Sequence, residues 1–316
     1  MCDGWRPIRA AIGARMVGMD PELEPFIPLF PELDLADPPA ARAVYAELAA
    51  SKPLPENPGM VVEDHLVPAD PAVPVRVYRP RDARGAVVWL HGGGWMMGDL
   101  ETERPFASWI ADGSGAVVVS VDFRLAPEHP FPAPLDDVYA ALVWTVEHAA
   151  DWGVDPARVA VGGHSAGGNL AAAVALKARD EQGPPICLQL LNEAALDDRQ
   201  ETASQRAFTD TPWATRDRIA THWRHYLGSA APTPYAAPAR AADLSGLPPA
   251  HIAAAEFCPN RDEDITYALR LLQAGVPVEL HQWAGTFHGS LAILSADVSQ
   301  RQIAEIGAAL RRALTS

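Results

Sequence analysis

The sequence predicts an α/β fold, a mainly parallel central sheet flanked by helices. One observation is that, from Ala86 onward, short β-branched and apolar runs alternate with helical patterns, which builds parallel strands covered on both faces. Another is one complete strand–turn–helix unit. The run Arg158-Val159-Ala160-Val161 leads into Gly163-His164-Ser165-Ala166-Gly167, and an Ala-rich helical segment follows. Ligands of such sheets bind at the carboxyl ends of the strands.

In chain order, residues 1–55 are rich in Pro and Ala, with one helical pattern across Ala40–Leu48. Val73–Arg79 alternates as an early, antiparallel strand. Six further strands are expected at Ala86–Leu90, Val117–Val121, Val159–Gly163, Ile186–Asn192, His251–Phe257 and Val276–Trp283. A helix over Gln300–Leu314 closes the chain. Ala133-Pro134-Leu135-Asp136-Asp137 reads as a helix start, with acidic residues favoured in the first turn. Between Asp197 and Pro249 no strand is expected, only a stretch carrying Trp213, Trp223 and Tyr226.

Composition limits the partners. A net charge of −15 argues against nucleic acid and against anionic membranes. The three cysteines, Cys2, Cys187 and Cys258, show neither a disulfide framework nor zinc spacing, so a reducing compartment fits; no metal or cofactor is expected. No apolar run reaches the ~18 residues of a membrane span, and the start lacks a signal-peptide core. The simplest reading is a cytoplasmic protein acting on a small molecule; a homodimer is compatible with the sequence.

Two motifs carry chemistry. In Gly-x-Ser-x-Gly between strand and helix, the tight turn leaves Ser165 exposed at the sheet edge with a helix N-terminus behind it. Upstream, Val87-Val88-Trp89-Leu90 runs into His91-Gly92-Gly93-Gly94-Trp95. Three glycines after a strand suggest backbone N–H groups that must approach something closely. Acyl transfer needs such donors for its oxyanion, each worth roughly 2.7–4 kcal/mol. Gly93, Gly94 and Ala166 are the expected donors, and the His-Gly-Gly-Gly form of the loop is known from lipases and esterases.

With Val121-Asp122-Phe123-Arg124-Leu125-Ala126-Pro127-Glu128-His129-Pro130 as a third segment, the chain resembles the hormone-sensitive-lipase-like esterases of the α/β-hydrolase fold. Its C-terminal half looks most like bacterial heroin esterase and acetylesterase relatives. The resemblance runs from about residue 60 to the end. It implies an N-terminal helical cap segment over 1–55 and a catalytic domain over 56–316, with a cap insertion at about 200–240. Trp95 and Trp213 then become candidate pocket walls. It also implies a serine carboxylesterase acting on short-chain acyl esters through an acyl-enzyme. His288, in Thr286-Phe287-His288-Gly289, holds the place of the general base.

The acid departs from the family. Relatives carry Asp-Pro-Leu-Arg-Asp-Glu where this chain has Cys258-Pro259-Asn260-Arg261-Asp262-Glu263, so Cys258 stands at the acid's position. Glu193, where relatives have Tyr-Pro, is the favoured substitute. Asp262, with helix capping as its default role, is a second candidate, and Asn260 could hold the ring by a neutral hydrogen bond; no charged acid is the remaining reading. Asp197-Asp198-Arg199 reads as a local ion-pair turn, Cys187 as core, and His164 as pointing away from the site. The rival to an esterase is a catalytically impaired, receptor-like binding protein on the same scaffold, which Cys258 alone favours.

Overall fold

The structure, a computed structural model, describes residues 18–50, 54 and 57–315. Among these residues the chain forms one eight-stranded sheet. Its elements in order are α1 (Pro38–Ala50), β1 (Val61–Val67), β2 (Val73–Arg79), β3 (Ala86–Leu90), α2 (Leu100–Ser114), β4 (Val117–Val121), α3 (Ala133–His148), β5 (Val159–His164) and α4 (Ala166–Asp180). There follow β6 (Gln189–Asn192), α5 (Ala203–Ala207), α6 (Arg216–Leu227), β7 (Ala250–Phe257), α7 (Arg261–Gln273), β8 (Val278–Phe287) and α8 (Asp297–Thr315). The spatial order is β1-β2-β4-β3-β5-β6-β7-β8. β2 is antiparallel to β1 and β4; every pair from β4 through β3 to β8 is parallel.

Alternation along the strands makes two cores. Val88 and Leu90 face one apolar cluster that includes Leu142, Leu170 and Leu271 of α3, α4 and α7. Val87 and Trp89 face the other, with Ile110 of α2 and Leu310 of α8. This is the two-sided burial that makes parallel strands read as continuous apolar runs. The buried Trp89 indole keeps its polar atom satisfied by donating to Glu103 Oε1 at 2.6 Å.

Three strand readings are corrected. β1, which the sequence did not announce, is a largely exposed edge strand paired with β2, so it carries no apolar pattern. The regular part of β6 begins at Gln189 rather than Ile186. β8 runs on past Trp283 to Phe287, because an irregularity in β7 between Ala255 and Phe257 lets Phe257 pair with Phe287. The expected N-terminal cap segment falls partly outside the described residues, over 1–17 and around 51–56. Its described part, with α1, is tied to the sheet's loops by Arg42. That guanidinium donates to Met96 O at 2.7 Å and Ala126 O at 3.0 Å, and pairs with Glu128 at 2.6 Å.

The reversal of strand order lies at β3, with β4 on one side and β5 on the other. The loops leaving β3 and β5 therefore meet at one crevice, the kind of place where ligands bind in open α/β sheets. Their approach is very close. A Cβ added at Gly167 would lie 2.0 Å from Leu90 O, and one at Gly163 2.5 Å from Gly167 C. Both contacts are with backbone, so neither neighbour can swing aside. Gly167→Ala should therefore destabilise the fold by about 1–3 kcal/mol, read as a lower denaturation midpoint in urea; an unchanged midpoint would mean the elbow has slack.

Candidate active site

Ser165 stands between β5 and α4 with φ 56 and ψ −114, a left-handed conformation that a non-glycine residue adopts only when its surroundings hold it. Its N–H donates to Asn192 O at 2.8 Å, and its carbonyl accepts from Asn169 N at 3.0 Å. Asn169, fully buried, donates onward to Ala195 O and Ala236 O at 2.8 and 3.0 Å. The turn is thus clamped from β6 and from α4.

His288, just past β8, presents Nε2 to Ser165 Oγ at 3.0 Å. Two groups share its other nitrogen: Cys258 Sγ is 3.1 Å from Nδ1, and Glu193 Oε2 is 3.5 Å away. Asn260 N–H donates to the same sulfur at 3.3 Å, so Cys258 serves as an acceptor there. A proton on Nδ1, facing sulfur and carboxylate, leaves the Nε2 lone pair free to accept from the Ser165 hydroxyl. Gly289 N–H donates to Glu193 Oε2 at 2.7 Å and fixes the carboxylate in place.

Burial governs the charges. It pushes Glu193 up to about 8, against the lowering pull of the Gly289 N–H. It pushes His288 down to about 4. Burial, reinforced by the nearby Glu193, Asp264 and Glu263 carboxyls, holds Cys258 well above the usual thiol value. Near neutrality Cys258 is therefore a thiol and His288 a neutral imidazole, the form a base requires.

Gly93 and Gly94, both with positive φ, line the pocket that holds Ser165 and His288. Ala166 is the first residue of α4, so its N–H has no partner within the helix. The same pocket is walled by Leu33, Leu35, Tyr45, Met97, Trp213 and Ile219. Tyr45 and Trp213 also border a neighbouring apolar cavity with Phe30, Leu48, Trp109 and Leu291.

The structure brings Ser165, His288, Glu193, Gly93, Gly94, Ala166 and Trp213 to one place. It does not bring Trp95 there. That side chain is 1% exposed and stacks on Tyr226 at 4.3 Å, because its positive φ of 60 turns it into the layer beneath α6. Asp262 is also elsewhere. It accepts from Ser204 N at 2.7 Å and pairs with Arg261 rather than capping its helix. Asn260 reaches Glu193 O and not the imidazole. His164 does not point away: its ring lies 5.5 Å from that of His288, with Nε2 3.8 Å from Glu193 Oε2. Asn192 Nδ2 donates to His164 Nδ1 at 2.7 Å, which puts the proton on Nε2, toward Glu193. Asp197 and Arg199 do form a local ion pair at 2.7 Å.

Sequence reasoning missed His222 of α6. It lines the Ser165 pocket, is pushed down to about 3 by burial, and its Nδ1 has no hydrogen-bond partner among the described residues. Its imidazole fills the space above Gly94, where a Cβ would meet Nδ1 at 2.1 Å. A lone histidine in an amphipathic helix carries no signal for this.

A family model described as alpha/beta hydrolase fold matches residues 87–292. Carboxylesterase NlhH of Mycobacterium tuberculosis is 43% identical over 285 residues, 86% of this chain and 88% of its own. An arylesterase of Saccharolobus solfataricus is 32% identical over 311 residues, 93% of this chain and 98% of its own. Among solved structures, a bacterial heroin esterase superposes with a TM-score of 0.91 at 44% identity, covering 96% of this chain and all (100%) of its own.

The Gly94–His222 contact makes a double-substitution test. Gly94→Ala, clashing with His222 at 2.1 Å and strained at φ +63, should lower kcat/KM for an aryl ester by about 10²-fold. Adding His222→Ala should recover part of the loss; a double variant no better than the single one would show that the two side chains do not meet.

Proposed function

The chain belongs to the alpha/beta hydrolase fold family, in its hormone-sensitive-lipase-like branch, and is a carboxylic ester hydrolase. From that premise we propose that it cleaves short-chain acyl esters through an acyl-enzyme on Ser165, with His288 as base and Glu193 as the carboxylate that supports it. The observation that carries this reading is the run Ser165 Oγ, His288 Nε2, His288 Nδ1, Glu193 Oε2, with contacts of 3.0 and 3.5 Å.

In this mechanism Ser165 Oγ attacks the ester carbonyl as its proton passes to His288 Nε2. Gly93, Gly94 and Ala166 N–H groups receive the oxyanion. The imidazolium gives its proton to the leaving alcohol, and the acyl group stays on Ser165. Water, deprotonated by the same histidine, then releases the acid. Glu193 stabilises the imidazolium while it exists. Cys258, as a thiol, fills space and accepts a hydrogen bond but supplies no charge.

The segment with α1 and the region around α6 act as the cap. Trp213 packs between Phe30, tilted at 5.3 Å, and Tyr45, stacked at 6.2 Å, and narrows the space beside Ser165. That narrowness favours a small acyl group, and the apolar cavity beyond suits an aromatic alcohol. The relatives named arylesterase and heroin esterase agree with such a substrate. The receptor-like reading is not favoured, since the relatives include a carboxylesterase, an esterase and a heroin esterase. Among the described residues no helix is long and apolar enough to cross a membrane.

p-Nitrophenyl acetate and butyrate should be turned over by the wild type and not by Ser165→Ala. Glu193→Gln should lower kcat/KM by about 10²–10⁴-fold, whereas Cys258→Ala should stay within about threefold of wild type, a span of only ~0.7 kcal/mol. The reverse pattern would assign the supporting role to Cys258.

The pH dependence has a definite sign. Glu193 is raised from 4.5 to about 8, so its charge, and the support it gives the imidazolium, is present only above that value. The kcat/KM profile should rise through about pH 8 in the wild type and lose that rise in Glu193→Gln. By linkage, the same proton held in the folded state makes stability fall as pH climbs from 4.5 through 8. A rise retained in Glu193→Gln would remove Glu193 from the reaction.

A further inference from the structure

A separate set of ligand-capable side chains lies at the opposite end of the same sheet. His251 is the second residue of β7, seven residues before Cys258, or ~23 Å along the strand. In the parallel ladder His251 is level with Glu279 of β8. Side chains level with one another leave the sheet on the same face, and so does the residue two further on, His281. α8 lays Glu305 over that face.

The four groups converge. His281 Nε2 is 3.0 Å from Glu279 Oε1, and His251 Nδ1 is 3.8 Å from Glu279 Oε2. One ligand atom from each of His251, Glu279, His281 and Glu305 can be chosen so that all lie within 4.8 Å of one another. His251 is 2% exposed, and its Nδ1 has no hydrogen-bond partner among the described residues. A buried imidazole nitrogen aimed at carboxylates and left without a bond is an uncommon expense in a native fold.

We propose that His251, Glu279, His281 and Glu305 bind a divalent transition-metal ion of the zinc type, fastening α8 to the β7–β8 edge. Two imidazole nitrogens and two carboxylate oxygens are a donor set that Zn²⁺ takes in tetrahedral geometry, whereas Ca²⁺ and Mg²⁺ want oxygen alone. Zinc bonds of about 2.0–2.1 Å set ligand atoms about 3.3 Å apart. The present spread therefore closes by shifts of about 1.5 Å or less, within reach of the partly exposed Glu279, His281 and Glu305 side chains. Arg312 now neutralises this charge, at 2.7 Å from Glu279 and 3.0 Å from Glu305. Its guanidinium is half exposed, and a dication at the site would take over that role.

The test is a titration of the chelator-treated full-length protein with Co²⁺, followed by visible d–d absorption, and with ZnCl₂, followed by calorimetry and thermal unfolding. His281→Ala and Glu279→Gln carry the test because both positions are partly exposed and fold-tolerant. A second cluster, His164, Glu193 and His288, lies at the Ser165 pocket, so His164→Gln serves as the control. The expected result is one equivalent bound with tetrahedral-type absorption and a raised Tm. His281→Ala and Glu279→Gln should weaken Kd by about 100-fold or more, with His164→Gln unchanged. No saturable binding in the wild type, or binding that His281→Ala spares and His164→Gln abolishes, would overturn the site.

Discussion

The close approach of the β5–α4 turn to the carboxyl end of β3 is the constraint on which the rest of the site depends. Leu90 O sits where a side chain on Gly167 would have to be, and Gly163 is pressed against the same backbone. Because the turn has no room to relax, Ser165 is held at a positive φ, and its hydroxyl stands clear of α4. The strand that crowds it leads directly into Gly92, Gly93 and Gly94. One contact therefore fixes the separation between the serine and the glycine loop that lines its pocket. Transition-state stabilisation by backbone donors depends on such pre-set distances. Glycine is required here for room as much as for backbone freedom.

Features written in local pattern were legible in the sequence, and features created by packing were not. Val73–Arg79, Ala86–Leu90 and Val117–Val121 appear as strands with those same bounds, the first read from its alternation and the other two from short apolar runs between turn residues. β1 escaped because its outer face is wet and its residues lack alternation. At the site, Ser165 and the glycine loop announce themselves by spacing, and His288 by its place after the last strand. Glu193 was legible only as an oddity set beside another oddity, Cys258. Trp95 was misread because an indole next to a glycine loop looks like a pocket wall. Nothing in one dimension reveals that a positive φ turns it into the core. His164 and His222 acquire meaning only through neighbours from other segments: Asn192 and Glu193 for the first, Gly94 for the second.

On the proposed reading, the exchange of acid positions is one that the topology permits. β6 and β7 are adjacent and parallel; Glu193 follows the end of the first and Cys258 the end of the second. His288 Nδ1 lies between them, 3.5 Å from one and 3.1 Å from the other. A carboxylate can therefore move from one strand end to the next while the imidazole stays where Ser165 needs it. Energetics then decide what the new position costs. Raising Glu193 from 4.5 to about 8 corresponds to about 5 kcal/mol against ionisation. A carboxylate and an imidazolium 3.5 Å apart attract by about 5 kcal/mol at an effective dielectric of 20. These magnitudes nearly cancel, so the Glu193 charge is poorly supported beside a neutral imidazole and well supported once His288 is protonated. In the proposed mechanism a buried carboxyl with that balance gives its stabilisation mainly when the proton has left Ser165, which is when catalysis requires it.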